Sequence, residues 1–306
     1  MSLLSRRNFI ISASGLAGLA WKGPDLVNHA RVPLLSFSTL GCPDWTFAAI
    51  LDFAAKNHYD GIEIRGIQRQ LDLSQTQEFR TAENTQATKK SIDSKGLRIT
   101  DLGSSCELHH TEAAVRTKNL DEGKRFIELA EKLNCPNVRV FPNKLPDDDQ
   151  RNAILDWIVK GLLELGDFAK GSSVSVLLES HGDAVKTAEL KKMMKDASHP
   201  NVGLVWDICN MWSVTREAPS SVYAELKDYI RHTHIKDANW INGEAHYTLL
   251  GKGEVPIFEA IDLLYKDGYK GYYSFEWEKL WHPEIDAPEI ALADYPRAMK
   301  QHFGAI

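Results

Sequence analysis

The chain has 306 residues, 43% of them hydrophobic, and a formal net charge of −6. That apolar content is enough for the core of one large domain, and without a basic stripe the chain is not built to hold nucleic-acid phosphates. The four cysteines, Cys42, Cys106, Cys135 and Cys209, form no C-x-x-C pair, which excludes a zinc ribbon or a redox dithiol. Each reads as a small buried side chain, with a disulfide in an oxidising compartment left open.

The opening stretch LLSRRNFIISASGLAGLAW (3–21) sets Arg6 and Arg7 before a run, Phe9 to Trp21, that carries no charge. This is the layout of a basic n-region followed by an apolar or small-residue h-region of about 7–15 residues. It is too short and too rich in Gly, Ala and Ser for a membrane span, which takes about 20 mostly apolar residues. The order Ser-Arg-Arg-Asn-Phe-Ile resembles the twin-arginine export motif, an address read by the twin-arginine export machinery. Residues 1–30 are therefore expected to be a signal segment, with Gly18-Leu19-Ala20 as a small-x-small cleavage site or with the segment kept as an uncleaved tether. A basic first helix is the rival reading. The expected location is periplasmic or otherwise extracytoplasmic.

From residue 34 the chain alternates β-rich runs with helical patterns. The runs are LLSFSTL (34–40), GIEIRG (61–66), RITDLGS (98–104), NVRVFP (137–142), SVSVLLES (173–180), VGLVWDI (202–208), IRHTHIK (230–236) and YYSFEWE (272–278). Between them, 117–134 sets Leu120, Phe126, Ile127, Leu129, Ala130 and Leu133 near one helical face, and 151–169 does the same with Ile154, Leu155, Ile158, Leu162 and Leu165. Eight strand–helix units with no linker predict an α/β fold: a single (β/α)8 TIM barrel over residues 31–306, one domain, preceded by the signal segment.

Barrel chemistry sits at the C-terminal ends of the strands. Glu179, Asp207, His234 and Glu276 close the fifth to eighth runs. Alternation along a strand lets Leu177 and Glu179, Val205 and Asp207, His232 and His234, and Ser274 and Glu276 share the interior face. Three carboxylates converging without a cation would repel, and an unpaired buried ion costs several kcal/mol. A divalent cation resolves this. Oxygen-rich ligands with one imidazole suit Mn²⁺ or Mg²⁺, with Zn²⁺, Co²⁺ or Fe²⁺ compatible; the rival is a salt-bridged mouth involving Arg65, Arg139 and Lys236.

The runs YDGIEIRG, LLESHGD, WDICN, HTHIKD and LGKGEVPIFEAIDLLYKDGYKGYYSFEWE resemble the sugar phosphate isomerase/epimerase family of xylose isomerase-like TIM barrels. The spacing of Gly251, Gly253, Pro256, Leu264, Gly268, Tyr269, Gly271 and Glu276 is the most specific part of the likeness. The resemblance implies metal ligation by Glu179, Asp207, His234 and Glu276, with His234 chosen because it directly precedes the IKD tripeptide. It also implies that Glu179 and Glu276 are a general acid/base pair moving a proton next to a carbonyl, the work of a metal-dependent sugar isomerase or epimerase. His232, one step deeper, is expected to be a core or supporting histidine.

Candidate substrate contacts are His181, Asn210, Lys236, Arg139 and, by ring stacking, Trp240 and Trp281; Arg139 has a structural ion pair with Glu63 or another interior acid as its rival role. Glu278 is expected to be solvated. With no glycine-rich phosphate loop, a free sugar, keto-sugar or glycoside is the expected substrate. The rivals are a lyase or dehydratase using the same site, a sugar-binding barrel without catalysis, and a nuclease of the AP-endonuclease type, which would need more metal ligands on strands two to four and a basic face. A homo-oligomer is left open.

Overall fold

The computed structural model describes residues 33–304; the expected signal segment lies outside them. The strands β1 (Leu35–Ser38), β2 (Gly61–Ile64), β3 (Arg98–Glu107), β4 (Asn137–Phe141), β5 (Ser175–Glu179), β6 (Val202–Asp207) and β7 (Ile230–Ile235) follow one another around the barrel. A hairpin of β8 (Asp237–Ile241) and β9 (Glu244–Thr248) intervenes, and β10 (Tyr273–Phe275) then closes the barrel between β7 and β1. All eight barrel strands are parallel, as the eight runs predict.

The helices α1 (Phe47–Lys56), α2 (Ala82–Ser94), α3 (Ala113–Leu133), α4 (Arg151–Phe168), α5 (Thr187–Asp196), α6 (Ile208–Thr215), α7 (Pro219–Leu226), α8 (Ile257–Lys266) and α9 (Pro288–His302) connect the strands. Their apolar stripes pack on the outward strand face: Ile257, Ala260, Ile261 and Leu264 of α8 share one cluster with Leu178, Leu204, Trp206 and Phe275. Each such buried aliphatic side chain contributes about 1.5–3 kcal/mol. Helix α3 begins a turn before the expected residue 117, because the Glu112 carboxylate accepts from the Ala114 and Val115 N–H groups at 3.0 and 2.8 Å. Asn134, left-handed at φ 55°, ends it.

Leu177 and Val205 are buried but stand apart from that cluster, inside the barrel, where alternation puts them. All four cysteines are free and buried. No helix among the described residues is long and apolar enough to cross a membrane. The hairpin was not expected, although its signal is readable: Asn242-Gly243, with φ 53° and 86°, is the residue pair a two-residue hairpin turn prefers. Trp240, read as a loop residue, therefore lies on strand β8.

Candidate active site

The register of β6 and β7 assembles the centre. Leu204 pairs with Ile230, but Val205 pairs with His232 and Asp207 with His234, so Arg231 is an extra residue on β7. Without that bulge Asp207 would face Thr233, and both histidines would point into the helices; one inserted residue flips the face of every side chain beyond it. On the other side of β7, His234 pairs with Ser274, which puts Glu276 one step above it. Glu179, Asp207, His234 and Glu276 are all buried, and one potential ligand atom from each lies within 4.8 Å of the others.

His234 is the hub. Its Nδ1 lies 3.2 Å from Glu179 Oε1, 3.3 Å from Glu276 Oε1 and 3.9 Å from Asp207 Oδ2. Its Nε2 faces Glu63 Oε2 at 3.1 Å, and the same oxygen meets His232 Nε2 and Ser274 Oγ, each at 3.0 Å. His232 is thus a supporting residue. A Glu63 carboxylate on Nε2 favours the tautomer whose Nδ1 lone pair faces the three acids, the usual arrangement behind a ligating histidine.

Lys236 supplies the opposing charge. Its Nζ reaches Asp207 Oδ2 at 2.7 Å and Glu276 Oε2 and Glu278 Oε1 at 2.6 Å. Glu278 is therefore a half-buried partner of Lys236, not the solvated charge expected, because the ammonium beneath it draws it inward. Arg139 Nε lies 3.1 Å from Glu179 Oε2, so its ion pair is with Glu179 and not with Glu63. Burial opposes ionisation of Glu179 and Glu276, but His234 with Arg139 for the first, and His234 with Lys236 for the second, hold both carboxyls below the usual range. At Asp207 burial wins, and its carboxyl is pushed up to about 7 despite Lys236.

A divalent cation fits this donor set. Three carboxylates and an imidazole converge in a buried space, where Glu179 Oε2 and Asp207 Oδ2 meet the side-chain cations Arg139 and Lys236. Lys236 already shows that the acids take up positive charge at this spot.

A cleft of about 210 Å³ opens above the centre, lined by Arg65, Arg139, Glu179, His181, Glu276 and Glu278 together with Leu40, Phe141, Asn143 and Trp281. Of the expected substrate contacts, His181 and Arg139 line it; Nδ1 of His181 meets Asn143 Oδ1 at 2.9 Å. Lys236 lies beneath, committed to the acids. Asn210 is not among the lining residues; its backbone N–H donates at 2.8 Å to Asp207 Oδ1, which caps the N-terminus of α6.

Trp240 is not among the lining residues. It packs edge-on to Trp212 at 5.2 Å, with the Arg216 guanidinium 4.4 Å from its ring. Trp281, 52% exposed, does line the cleft. Two lining residues not expected from the sequence are Phe141, which ends β4, and Asn143, two residues beyond it; position at a strand end was the available signal.

Asp237 explains the most specific motif. Its carboxylate accepts from the N–H groups of Gly251 and Gly253 at 2.9 Å and of Val255 at 3.2 Å. A Cβ on Gly253 would lie 2.1 Å from Asp237 Oδ1, so only glycine lets the loop wrap the carboxylate that follows Lys236.

A family model described as xylose isomerase-like TIM barrel matches residues 51–298. Solved structures share the fold. The IolI protein with a bound zinc atom is 17% identical with a TM-score of 0.74, over 88% of this chain and 98% of that one. AsbF of Bacillus anthracis, described as the probable 3-DHS dehydratase of petrobactin synthesis, is 18% identical with a TM-score of 0.72, over 87% and 98%. YcjR of E. coli, a 3-keto-D-glucoside 4-epimerase, is 14% identical with a TM-score of 0.69, over 88% and 99%. No curated protein sequence matches the chain.

Proposed function

The chain belongs to the xylose isomerase-like TIM barrel family, and on that premise we propose that it is a divalent-metal-dependent isomerase or epimerase of a sugar or keto-sugar. The observation that carries this is the convergence of Glu179, Asp207, His234 and Glu276 with two glutamates flanking one point: Glu179 Oε1 and Glu276 Oε1 lie 3.2 and 3.3 Å from His234 Nδ1. These four residues would hold the cation. When bound, it polarises a carbonyl oxygen and makes the neighbouring C–H more acidic.

The chain's own groups then move the proton. Glu179, kept ionised by His234 and Arg139, is the base at the substrate carbon. Glu276, ionised at rest, returns a proton that it takes from the Lys236 ammonium hydrogen-bonded at Oε2, and the proton that Glu179 later gives up to solvent restores the balance. Asp207 stays behind as ligand and as anchor of Lys236. The narrow cleft restricts water and orients the substrate against Arg139 and His181. Elimination of water from a keto-sugar begins with the same proton abstraction; His181, two residues beyond Glu179 on the cleft wall, is placed to protonate a departing hydroxyl, and a dehydratase stands among the structures of like fold.

The test is incubation of Mn²⁺-loaded protein with ketoses and 3-keto-sugars in D₂O. Deuterium should enter at the carbon next to the carbonyl, and Glu179→Gln and Glu276→Gln should slow entry by about 10²–10⁴-fold, the usual contribution of a positioned acid or base. Absence of exchange with every substrate would favour a sugar-binding barrel without catalysis.

A further inference from the structure

Among the described residues, Arg65 is the cation of the cleft with no carboxylate inside ion-pair distance. It is 5% exposed and lines the cleft beside Glu179 and Glu276. Nη2 donates to Ser105 Oγ at 3.1 Å, while Nη1 is buried without a partner. The other cations are committed: Arg139 to Glu179, and Lys236 to Asp207, Glu276 and Glu278.

Room for Arg65 is built into the strand between the two arginines. A Cβ on Gly103 would lie 2.8 Å from Arg65 Cδ and 2.9 Å from Arg139 Nη2, so the stem of Arg65 and the guanidinium of Arg139 come together over a glycine. Burying a charge with no partner costs several kcal/mol, and a like charge beside it adds to that cost. Burial and Arg139 lower the Arg65 pKa to about 9, and the more distant Glu122, Glu179 and Glu276 offset only part of this. Two of those three are proposed metal ligands, whose charge a bound cation would neutralise.

We propose that the substrate of this cleft carries a carboxylate and that Arg65 binds it, which makes the substrate a sugar acid. This rests on the sugar-converting reading above and narrows it. One uncommitted guanidinium balances one negative charge, so a monoanion fits better than a phosphate dianion facing Glu179 and Glu276. A space of about 210 Å³, below the roughly 300–1,000 Å³ of pockets that take drug-sized ligands, admits a molecule of sugar-acid size. Planar guanidinium matches carboxylate geometry, which Lys would not reproduce.

The experiment is calorimetric binding to Mn²⁺-loaded protein of matched pairs: D-gluconate against D-sorbitol, D-glucuronate against D-glucose, and 2-keto-D-gluconate against D-fructose. At least one acid should bind tenfold or more tighter than its neutral partner. Arg65→Gln should erase that preference while leaving metal stoichiometry unchanged; Arg65→Lys, which keeps the charge, covers the case of a Gln variant that does not fold and should retain part of it. Neutral sugars bound as tightly as the acids would overturn the carboxylate and leave the sugar reading standing. A preference that survives unchanged in both variants would overturn the role of Arg65. Binding of no member of either set would overturn the sugar reading itself.

Discussion

The two sides of the barrel mouth carry opposite chemistry on the same backbone plan. Strands β5, β6 and β7 and the residue after β10 send in Glu179, Asp207, His234 and Glu276, whereas the residue after β2 and strand β4 send in Arg65 and Arg139 around Gly103 of β3. On the acidic side four carboxylates, Glu179, Asp207, Glu276 and Glu278, face three cations, Lys236, His234 and Arg139, an excess that a divalent cation would take up. The basic side has one guanidinium more than its acids satisfy, which calls for an anion. The Arg139–Glu179 pair at 3.1 Å is the seam between them. An enzyme that polarises one end of a small molecule and holds the other needs this division.

The comparison breaks hardest at Asp207. Asp207→Asn should weaken Mn²⁺ binding by more than about 100-fold, since loss of an outer partner of a ligand alone costs 10–100-fold, while the barrel stays folded by circular dichroism. Unchanged affinity in a titration would mean that Lys236, and no metal, is the counter-charge of the acidic side.

Acid sharpens the same contrast. With the Asp207 carboxyl at about 7 in the metal-free protein, a cation binding below that pH must expel a proton. His234, whose imidazolium Glu276, Glu63 and Glu179 stabilise against burial, must lose one too. Both effects have one sign: affinity falls as pH falls, by about tenfold per unit for the His234 proton wherever the pH lies below its raised value, and by a further tenfold per unit for the Asp207 proton below about pH 7. Titrations from pH 8 to pH 5.5 in buffers of different ionisation enthalpy check both the slope and the proton release.

The eight strands and the four converging ligand candidates were legible because both follow from local rules, alternation along a strand and position at a strand end. What alternation could not show is relative register. The Arg231 bulge decides that His234 faces Asp207, and nothing in IRHTHIK separates a bulged from an unbulged pairing with VGLVWDI. Partner choice was equally closed to the sequence: Glu278 and Glu276 share parity, and only the reach of Lys236 makes the outer one a half-buried partner. Trp240 illustrates the cost of passing over a turn signal, since Asn242-Gly243 turns its segment into a strand and its ring toward Trp212.

The smallest expected effect lies on the basic side. Gly103→Ala adds one methyl between Arg65 and Arg139, and both side chains are buried, so neither can swing into solvent to make way. Overfilling of this kind costs about 1–3 kcal/mol, read as a lower thermal midpoint. Because the methyl presses on Arg65 Cδ, preference for a sugar acid should fall as well, while Mn²⁺ affinity holds, since the atoms nearest the added methyl belong to Arg65 and Arg139 and to none of the four ligand candidates. A variant that lost metal affinity in step with its sugar-acid preference would show the two sides of the mouth to be one coupled unit, with the Arg139–Glu179 pair transmitting the strain.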